Sequence, residues 1–173
     1  MKDQSFLFDN IDAFVFDFDG VLTNNFVYLN QDGLESVLCS RGDGLAFDVL
    51  RKLRKPTYIL STEKNQVVSV RAKKLKVPVF YGVSIKSEAI TKLAEREGFD
   101  LQNILYVGND LNDYEAMKLC GYSACPADSH PKIIEITKIL LKTNGGHGIV
   151  RELLESVLGL DFIKILYNDK EKK

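Results

Sequence analysis

Apolar residues in this chain gather into short unbroken runs separated by amphipathic stretches. Ala13-Phe14-Val15-Phe16, Thr57-Tyr58-Ile59-Leu60 and Ile104-Leu105-Tyr106-Val107 show no alternation with polar residues. Runs of this kind read as strands covered on both faces, and hence as a parallel sheet. Val77–Phe80 and Tyr122–Ala124 are weaker strands of the same type. Between the runs, apolar positions recur at helical spacing. Leu45, Val49 and Leu53 predict a helix over Gly44–Leu53, and Val67, Val68, Ala72 and Leu75 predict one over Asn65–Leu75. Ala89, Ile90, Leu93 and Ala94 predict a third over Ser87–Glu97, closed by Gly98. Further helices are expected over Leu111–Leu119, from His130 onward, and over His147–Leu158. Strand–helix alternation of this kind implies right-handed crossovers and a three-layer, doubly wound parallel α/β fold. One segment breaks the rhythm directly after the first strand. Phe26–Leu29 and Leu34–Cys39 flank a turn at Asp32-Gly33 and predict a β-hairpin insert over residues 26–39.

Composition narrows the class without changing this outline. The 173 residues, 45% hydrophobic and 27% charged, suit one globular domain spanning residues 1–173. Residues 160–173 are set apart as a C-terminal tail, ending in the charge-rich Asp169–Lys173, which reads as a frayed end. A net charge of −1 supplies no field that would draw in nucleic acid or a membrane surface. No apolar run approaches the roughly 18 residues of a membrane span. Met1-Lys2-Asp3-Gln4 begins no signal peptide, because Asp9, Asp12, Asp17 and Asp19 interrupt the apolar stretch that follows. Cys39, Cys120 and Cys125 are odd in number and lack C-x-x-C spacing, so they read as buried free thiols in a reducing cytoplasm.

The chemistry lies where the strands end. The first strand runs into Asp17-Phe18-Asp19-Gly20, the second into Ser61-Thr62-Glu63, the third into Gly108-Asn109-Asp110, and Lys86 precedes the helix before that third strand. Parallel α/β sheets bind ligands at the carboxyl ends of their strands, so these groups are expected to converge. Clustered carboxylates repel one another unless a cation joins them, and an all-oxygen ligand set suits Mg²⁺.

Asp17-Phe18-Asp19-Gly20-Val21-Leu22-Thr23, Ser61, Lys86 and Gly108-Asn109-Asp110-Leu111-Asn112-Asp113 together resemble the four motifs of the haloacid dehalogenase superfamily. More closely, the chain resembles the 3-deoxy-D-manno-octulosonate 8-phosphate phosphatase family. That family includes nine-carbon 2-keto-3-deoxy sugar-acid 9-phosphate phosphatases and modules fused to some acylneuraminate cytidylyltransferases. A short hairpin in place of a cap domain, Asp43-Gly44, and Gly145-Gly146-His147-Gly148-Ile149-Val150-Arg151-Glu152 carry this closer likeness.

The resemblance implies a magnesium-dependent phosphatase acting on a sugar-acid phosphate, with Asp17 as nucleophile and Asp19 as general acid and base. Ser61 and Lys86 would hold the phosphate. Mg²⁺ would be bound by Asp17, Asp19, the Phe18 carbonyl and Asn109 or Asp110, with Asp113 supporting the site from behind. Asn109 departs from the Asp usual in the family and removes one negative charge. The resemblance also implies a homotetramer in which a neighbour helps to close the site. The alternative of a different class is a non-catalytic oligomerisation or regulatory module.

The candidates for binding the substrate are Arg41, as a phosphate or carboxylate contact, with Asp43, Gly44, Glu63, Arg71 and Lys74. Glu63 stands where octulosonate phosphatases tend to carry Arg, as it does in the nine-carbon enzymes. A Glu63–Lys74 pair is expected, leaving Arg71 free to meet a substrate carboxylate. His130 and His147 read first as surface or helix-start residues, with His147 in a Gly-rich turn that follows a helix and so binds no nucleotide in the Rossmann manner.

Overall fold

The computed structural model describes residues 8–168, so the segment at Met1-Lys2-Asp3-Gln4 and the charged end Asp169–Lys173 lie outside the described residues. Six strands form one wholly parallel sheet: β1 (Ala13–Phe16), β4 (Thr57–Leu60), β5 (Val79–Phe80), β6 (Ile104–Val107), β7 (Tyr122–Cys125) and β8 (Ile139–Leu140). Their order is β5-β4-β1-β6-β7-β8. The chain winds outward from β1 in both directions, so a topological switch falls beside β1.

Helices cover both faces: α1 (Arg41–Lys52), α2 (Gln66–Leu75), α3 (Lys86–Glu97), α4 (Tyr114–Leu119), α5 (Pro131–Ile136), α6 (Ile149–Glu152) and α7 (Phe162–Tyr167). The strands divide their residues by the two-residue period. Phe14 and Phe16 join the core beneath α1, α2, α6 and α7, whereas Ala13 and Val15 join the core beneath α3, α4 and α5. β1 and β6 are buried at every position, which is why neither shows alternation in sequence.

Several boundaries differ from the sequence pattern for local reasons. The first helix starts three residues early, because the Ser40 hydroxyl accepts the Gly42 N–H and caps it; Arg41, Asp43 and Gly44 thus lie in its first turn. The helix expected over Leu111–Leu119 is a 3₁₀ turn, Leu111–Asp113, followed by α4. Asp110 caps that turn while the Asp113 side chain reaches back to the main chain. The helix expected over His147–Leu158 begins at Ile149, after Gly148 at φ +102°, and ends in a π-turn over Leu153–Val157. His130 does cap a helix, its Nδ1 accepting from Lys132 N–H. Within the region read as a tail, α7 is ordered against α1 with Phe162 buried. β8 has only two residues and leaves no periodic signature.

The hairpin is longer than its apolar pattern, pairing β2 (Thr23–Leu29) with β3 (Glu35–Cys39) through a bulge near Asn25. Asn30 Oδ1 accepts the N–H groups of Asp32 and Leu34 and closes the turn. Phe26, Tyr28, Leu29, Leu34 and Leu38 stand exposed on it, each by more than half its surface.

Candidate active site

Asp17 follows β1 directly, and its N–H donates to the Val107 carbonyl at 2.9 Å, which fixes the start of the Asp17–Thr23 loop to β6. Lys86, the first residue of α3, is buried with its ammonium 2.7 Å from both Asp17 Oδ1 and Asp113 Oδ1. Tyr106, in the middle of β6, donates its phenol to Asp113 Oδ1 at 2.9 Å. Asp113 Oδ2 accepts the N–H groups of Asn109 (2.9 Å) and Asp110 (3.3 Å). One carboxylate thus receives four donors and ties β6, α3 and the Gly108–Asp113 loop into a single unit.

The Asp17–Thr23 loop turns sharply. The Phe18 carbonyl accepts the N–H groups of Leu22 (2.9 Å) and Thr23 (3.1 Å), so it is committed within its own loop. The carbonyl that faces Asn109 is that of Asp19, and the expectation for Phe18 is corrected accordingly. The inner end of the Asn109 amide sits 2.8 Å from the Asp19 carbonyl oxygen and 3.2 Å from Asp17 Oδ2. With its oxygen turned inward, three oxygens converge from one carboxylate, one main-chain carbonyl and one side-chain amide. That donor set fits a hard divalent cation. It contains only one acidic side chain, in keeping with the absence of any grouping of three His, Cys, Asp or Glu side chains suited to a metal among the described residues. The Asp110 carboxylate is not brought into the cluster: Asp110 is exposed, and its Oδ1 accepts the Leu111 N–H.

The electrostatics follow from burial. Burial first, and the Asp113 charge second, push Asp17 well above the ordinary carboxylate range, against the pull of Lys86. For Lys86, burial works against the ammonium, but Asp17 and Asp113 outweigh it and hold its pKa above the usual value. Tyr106 is pushed upward by burial and then by Asp113, so it remains a donor. Asp19 is half-buried, and its pKa is raised by burial and then by the charge of Glu63, while Thr23 hydrogen-bonds its carboxylate. A carboxyl raised in this way suits a proton donor to a leaving group. Ser61 directly follows β4 and is buried; its oxygen accepts the Glu63 N–H at 3.1 Å, and its hydroxyl proton is left for a ligand.

The expected substrate-end residues separate. Glu63 does not pair with Lys74. Its Oε1 folds back to accept the Lys64 and Asn65 N–H groups at 2.6 and 2.7 Å, two local donors that satisfy it without a distant cation. Lys74 is exposed, and with Arg41 and Arg71 it borders a groove of about 680 Å³ between β3 and α2. Arg71 donates from Nη2 to the Ser40 carbonyl at 2.7 Å, whereas its buried Nε has no partner among the described residues. Asp43 is buried, with Oδ1 accepting the N–H groups of Val150 (3.0 Å) and Arg151 (3.1 Å) at the start of α6, and Oδ2 without a partner. Gly44 meets no steric demand, since a Cβ there would touch nothing.

Two contributors escaped the sequence reading. The apolar run shows Tyr106 only as a strand residue; the signal for more is a phenol inside an otherwise aliphatic run. The Gly-rich segment was read as a tight turn, but its purpose is close approach. A Cβ on Gly145 would lie 2.1 Å from the Gly20 carbonyl oxygen, and one on Gly146 would lie 2.5 Å from Asn24 N. The Gly146 N–H donates to the Val21 carbonyl at 3.0 Å, so this segment seats the Asp17–Thr23 loop from behind. His147 stays local, its Nδ1 2.7 Å from the Gly145 carbonyl oxygen.

A loop carrying Asp17 after the central strand, a buried lysine from the next layer and an aspartate after the neighbouring strand that holds it accord with a haloacid dehalogenase-like hydrolase, and the chain belongs to that family: its family model matches residues 47–153. The relatives narrow the class to phosphatases without a cap domain. The 3-deoxy-D-manno-octulosonate 8-phosphate phosphatase of Escherichia coli is 30% identical over 151 residues, covering 87% of this chain and 80% of the relative. A solved HAD family hydrolase from Streptomyces avermitilis is 40% identical with a TM-score of 0.86, covering 89% of this chain and 88% of that one. The octulosonate 8-phosphate phosphatase of Moraxella catarrhalis, solved with magnesium, phosphate and its sugar acid, is 25% identical with a TM-score of 0.84, covering 97% and 94%. The cobalt-bound enzyme of Haemophilus influenzae is 27% identical with a TM-score of 0.82, covering 88% and 90%. This chain is therefore a phosphoric monoester hydrolase of the haloacid dehalogenase type.

Proposed function

We propose that the chain is a Mg²⁺-dependent phosphatase of 2-keto-3-deoxy sugar-acid phosphates, with a nine-carbon 9-phosphate preferred to the octulosonate 8-phosphate. The observation that carries the chemistry is Asp17 held by Lys86, itself held by Asp113, with Asp19 two residues away. Asp17 attacks phosphorus, and the bond from phosphorus to the sugar oxygen breaks with its electron pair on that oxygen. Asp19 gives the oxygen a proton and the sugar acid leaves. Asp19, now ionised, takes a proton from a water that attacks the aspartyl phosphate, and the bond to Asp17 breaks to release inorganic phosphate. Lys86 and the Ser61 hydroxyl stabilise the phosphoryl oxygens throughout. Mg²⁺, when bound by Asp17, the Asp19 carbonyl and Asn109, offsets the repulsion between carboxylate and phosphate. Asp17→Asn tests the assignment. It should remove turnover of any sugar-acid phosphate and leave the melting temperature within a few degrees; turnover above a metal-free blank would refute it.

The preference for nine carbons rests on Glu63. Its carboxylate is shorter than an arginine and is folded back onto the Lys64 and Asn65 amides, while Arg71 lines the groove between β3 and α2 as the candidate partner of a substrate carboxylate. One charged hydrogen bond is worth about 1.5–3 kcal/mol, so a preference of about tenfold or more in kcat/KM is expected. Side-by-side kinetics on both substrates, repeated with Glu63→Arg, decide it. Equal rates in the unaltered protein would mean that Glu63 does not set length. The exposed apolar hairpin supports a homotetramer closed by neighbouring subunits, and free Cys39, Cys120 and Cys125 support work in the cytoplasm. A monomer in sedimentation would refute the assembly.

A further inference from the structure

We propose that Asn109 is a two-position latch on the nucleophile: its amide caps Asp17 when no cation is present and turns over to present its oxygen when one arrives. The inference rests on the cation site described above and concerns what an amide does there that a carboxylate would not.

The main chain of Asn109 is pinned on both sides. Its N–H donates to Asp113 Oδ2 at 2.9 Å, and its carbonyl accepts the His130 N–H at 2.8 Å. The side chain is buried against Gly20, where a Cβ would come within 1.9 Å of the Asn109 amide nitrogen. With the backbone held and the amide packed against a glycine, the remaining freedom is rotation about the bond that exchanges oxygen for NH₂. The inner end faces two acceptors, the Asp19 carbonyl and Asp17 Oδ2, at 2.8 and 3.2 Å. Without a cation, NH₂ belongs there, and it makes two hydrogen bonds, one of them to a buried carboxylate. With a cation, the oxygen belongs there, and both bonds are given up.

An aspartate at this position has no such choice. It would place a second carboxylate 3 Å or so from Asp17 with nothing between them. The amide therefore makes the metal-free site stable in itself, and the cation must displace a hydrogen-bonded donor before it binds. A hydrogen bond to a charged group is worth about 1.5–3 kcal/mol, equivalent to a roughly tenfold to hundredfold weaker apparent affinity for Mg²⁺ than in Asn109→Asp.

The test uses the full chain and needs no substrate, so it stands apart from the phosphatase assay. Metal-free protein, Asn109→Asp and Asn109→Ala are melted with and without Mg²⁺, and the side-chain amide resonances of Asn109 are followed by nuclear magnetic resonance. The latch requires slow exchange of one Asn109 amide proton in metal-free protein, lost or shifted as Mg²⁺ saturates. It also requires metal-free Asn109→Asp to melt roughly 3–8 °C below the unaltered protein and to gain more from Mg²⁺. Asn109→Ala, which lacks the cap, should also melt below the unaltered protein without metal; that loss separates the latch from a mere change in ligand charge. An amide that exchanges freely without metal, or an alanine variant with unchanged metal-free stability, overturns the latch whatever the phosphatase assay gives. A protected amide with no response to Mg²⁺ in any of the three proteins overturns the exchange with a cation, and with it the metal site.

Discussion

Asp43→Asn should stabilise this protein near neutral pH, and the gain should vanish in acid. Asp43 is 2% exposed in the first turn of α1; one oxygen takes two N–H donors from the start of α6, and the other takes none. Burial lifts its carboxyl from the ordinary 3.8 to about 6, against the pull of the Arg151 and Val150 amides and of Arg71. An acid whose folded-state pKa is raised favours folding while it is protonated. Its contribution is complete below about pH 4 and is lost as pH rises through about 6. Keeping the carboxylate ionised in the folded state costs about 3 kcal/mol, less whatever local relaxation recovers. Asparagine keeps the accepting oxygen, has nearly the same shape and carries no charge. The variant should gain about 1–3 kcal/mol near pH 8, or roughly 3–9 °C in Tm, with the two curves meeting near pH 4. Melting both proteins across this range by circular dichroism is sufficient. A variant less stable than the parent near pH 8, or a difference that does not change with pH, would refute the reasoning; it would mean that the amides at the start of α6 and Arg71 fully compensate the buried charge.

Tyr106→Phe should lower kcat about tenfold with little change in KM, because Asp113 loses one of the donors that hold it toward Lys86; steady-state kinetics beside a melting curve check this, and an unchanged kcat would make the phenol merely a filled core position. Gly145→Ala should cost more activity than its size suggests, since a methyl group there meets the Gly20 carbonyl at 2.1 Å and must move the Asp17–Thr23 loop; full activity and full stability together would show that the loop is not seated on this segment.

How much of this was legible in the sequence depends on the kind of force involved. β1, β4 and β6 are fixed by continuous apolar runs, and burial on both faces leaves such runs one reading. The convergence of Asp17, Ser61, Lys86 and Asp113 follows from the rule that parallel strands end at one edge. Lys86 itself arrives through a helix N-terminus packed beneath that edge. Orientation was not legible. Whether the Phe18 or the Asp19 carbonyl faces Asn109 depends on a turn in which Leu22 and Thr23 both donate to Phe18. Glu63 could pair with Lys74 on paper, because helical spacing ignores the two amide donors at Lys64 and Asn65 that lie closer. Asp43 was marked for the substrate, and only the folded chain shows it holding the start of α6, more than a hundred residues away.

The charge balance of the site explains why these parts belong together. Asp17 and Asp113 share one ammonium, so the buried centre carries one negative charge more than it neutralises. A dianionic phosphate would be repelled from such a centre. The same centre is arranged so that the excess has one outlet. Asp113 spends its capacity on Lys86, Tyr106 and two main-chain amides, and Asp17 Oδ1 is turned to Lys86. What remains uncommitted and close together is Asp17 Oδ2, the Asp19 carbonyl and the Asn109 amide. A cation placed there reverses the sign of the field where the phosphate must arrive, and it does so without disturbing the buried hub. With an amide rather than a carboxylate at Asn109 the excess is lower by one charge, which weakens the demand for the cation and supplies a donor to fill its place. The amide thus shifts the balance between metal-free and metal-bound states while leaving Asp17, Lys86 and their support intact.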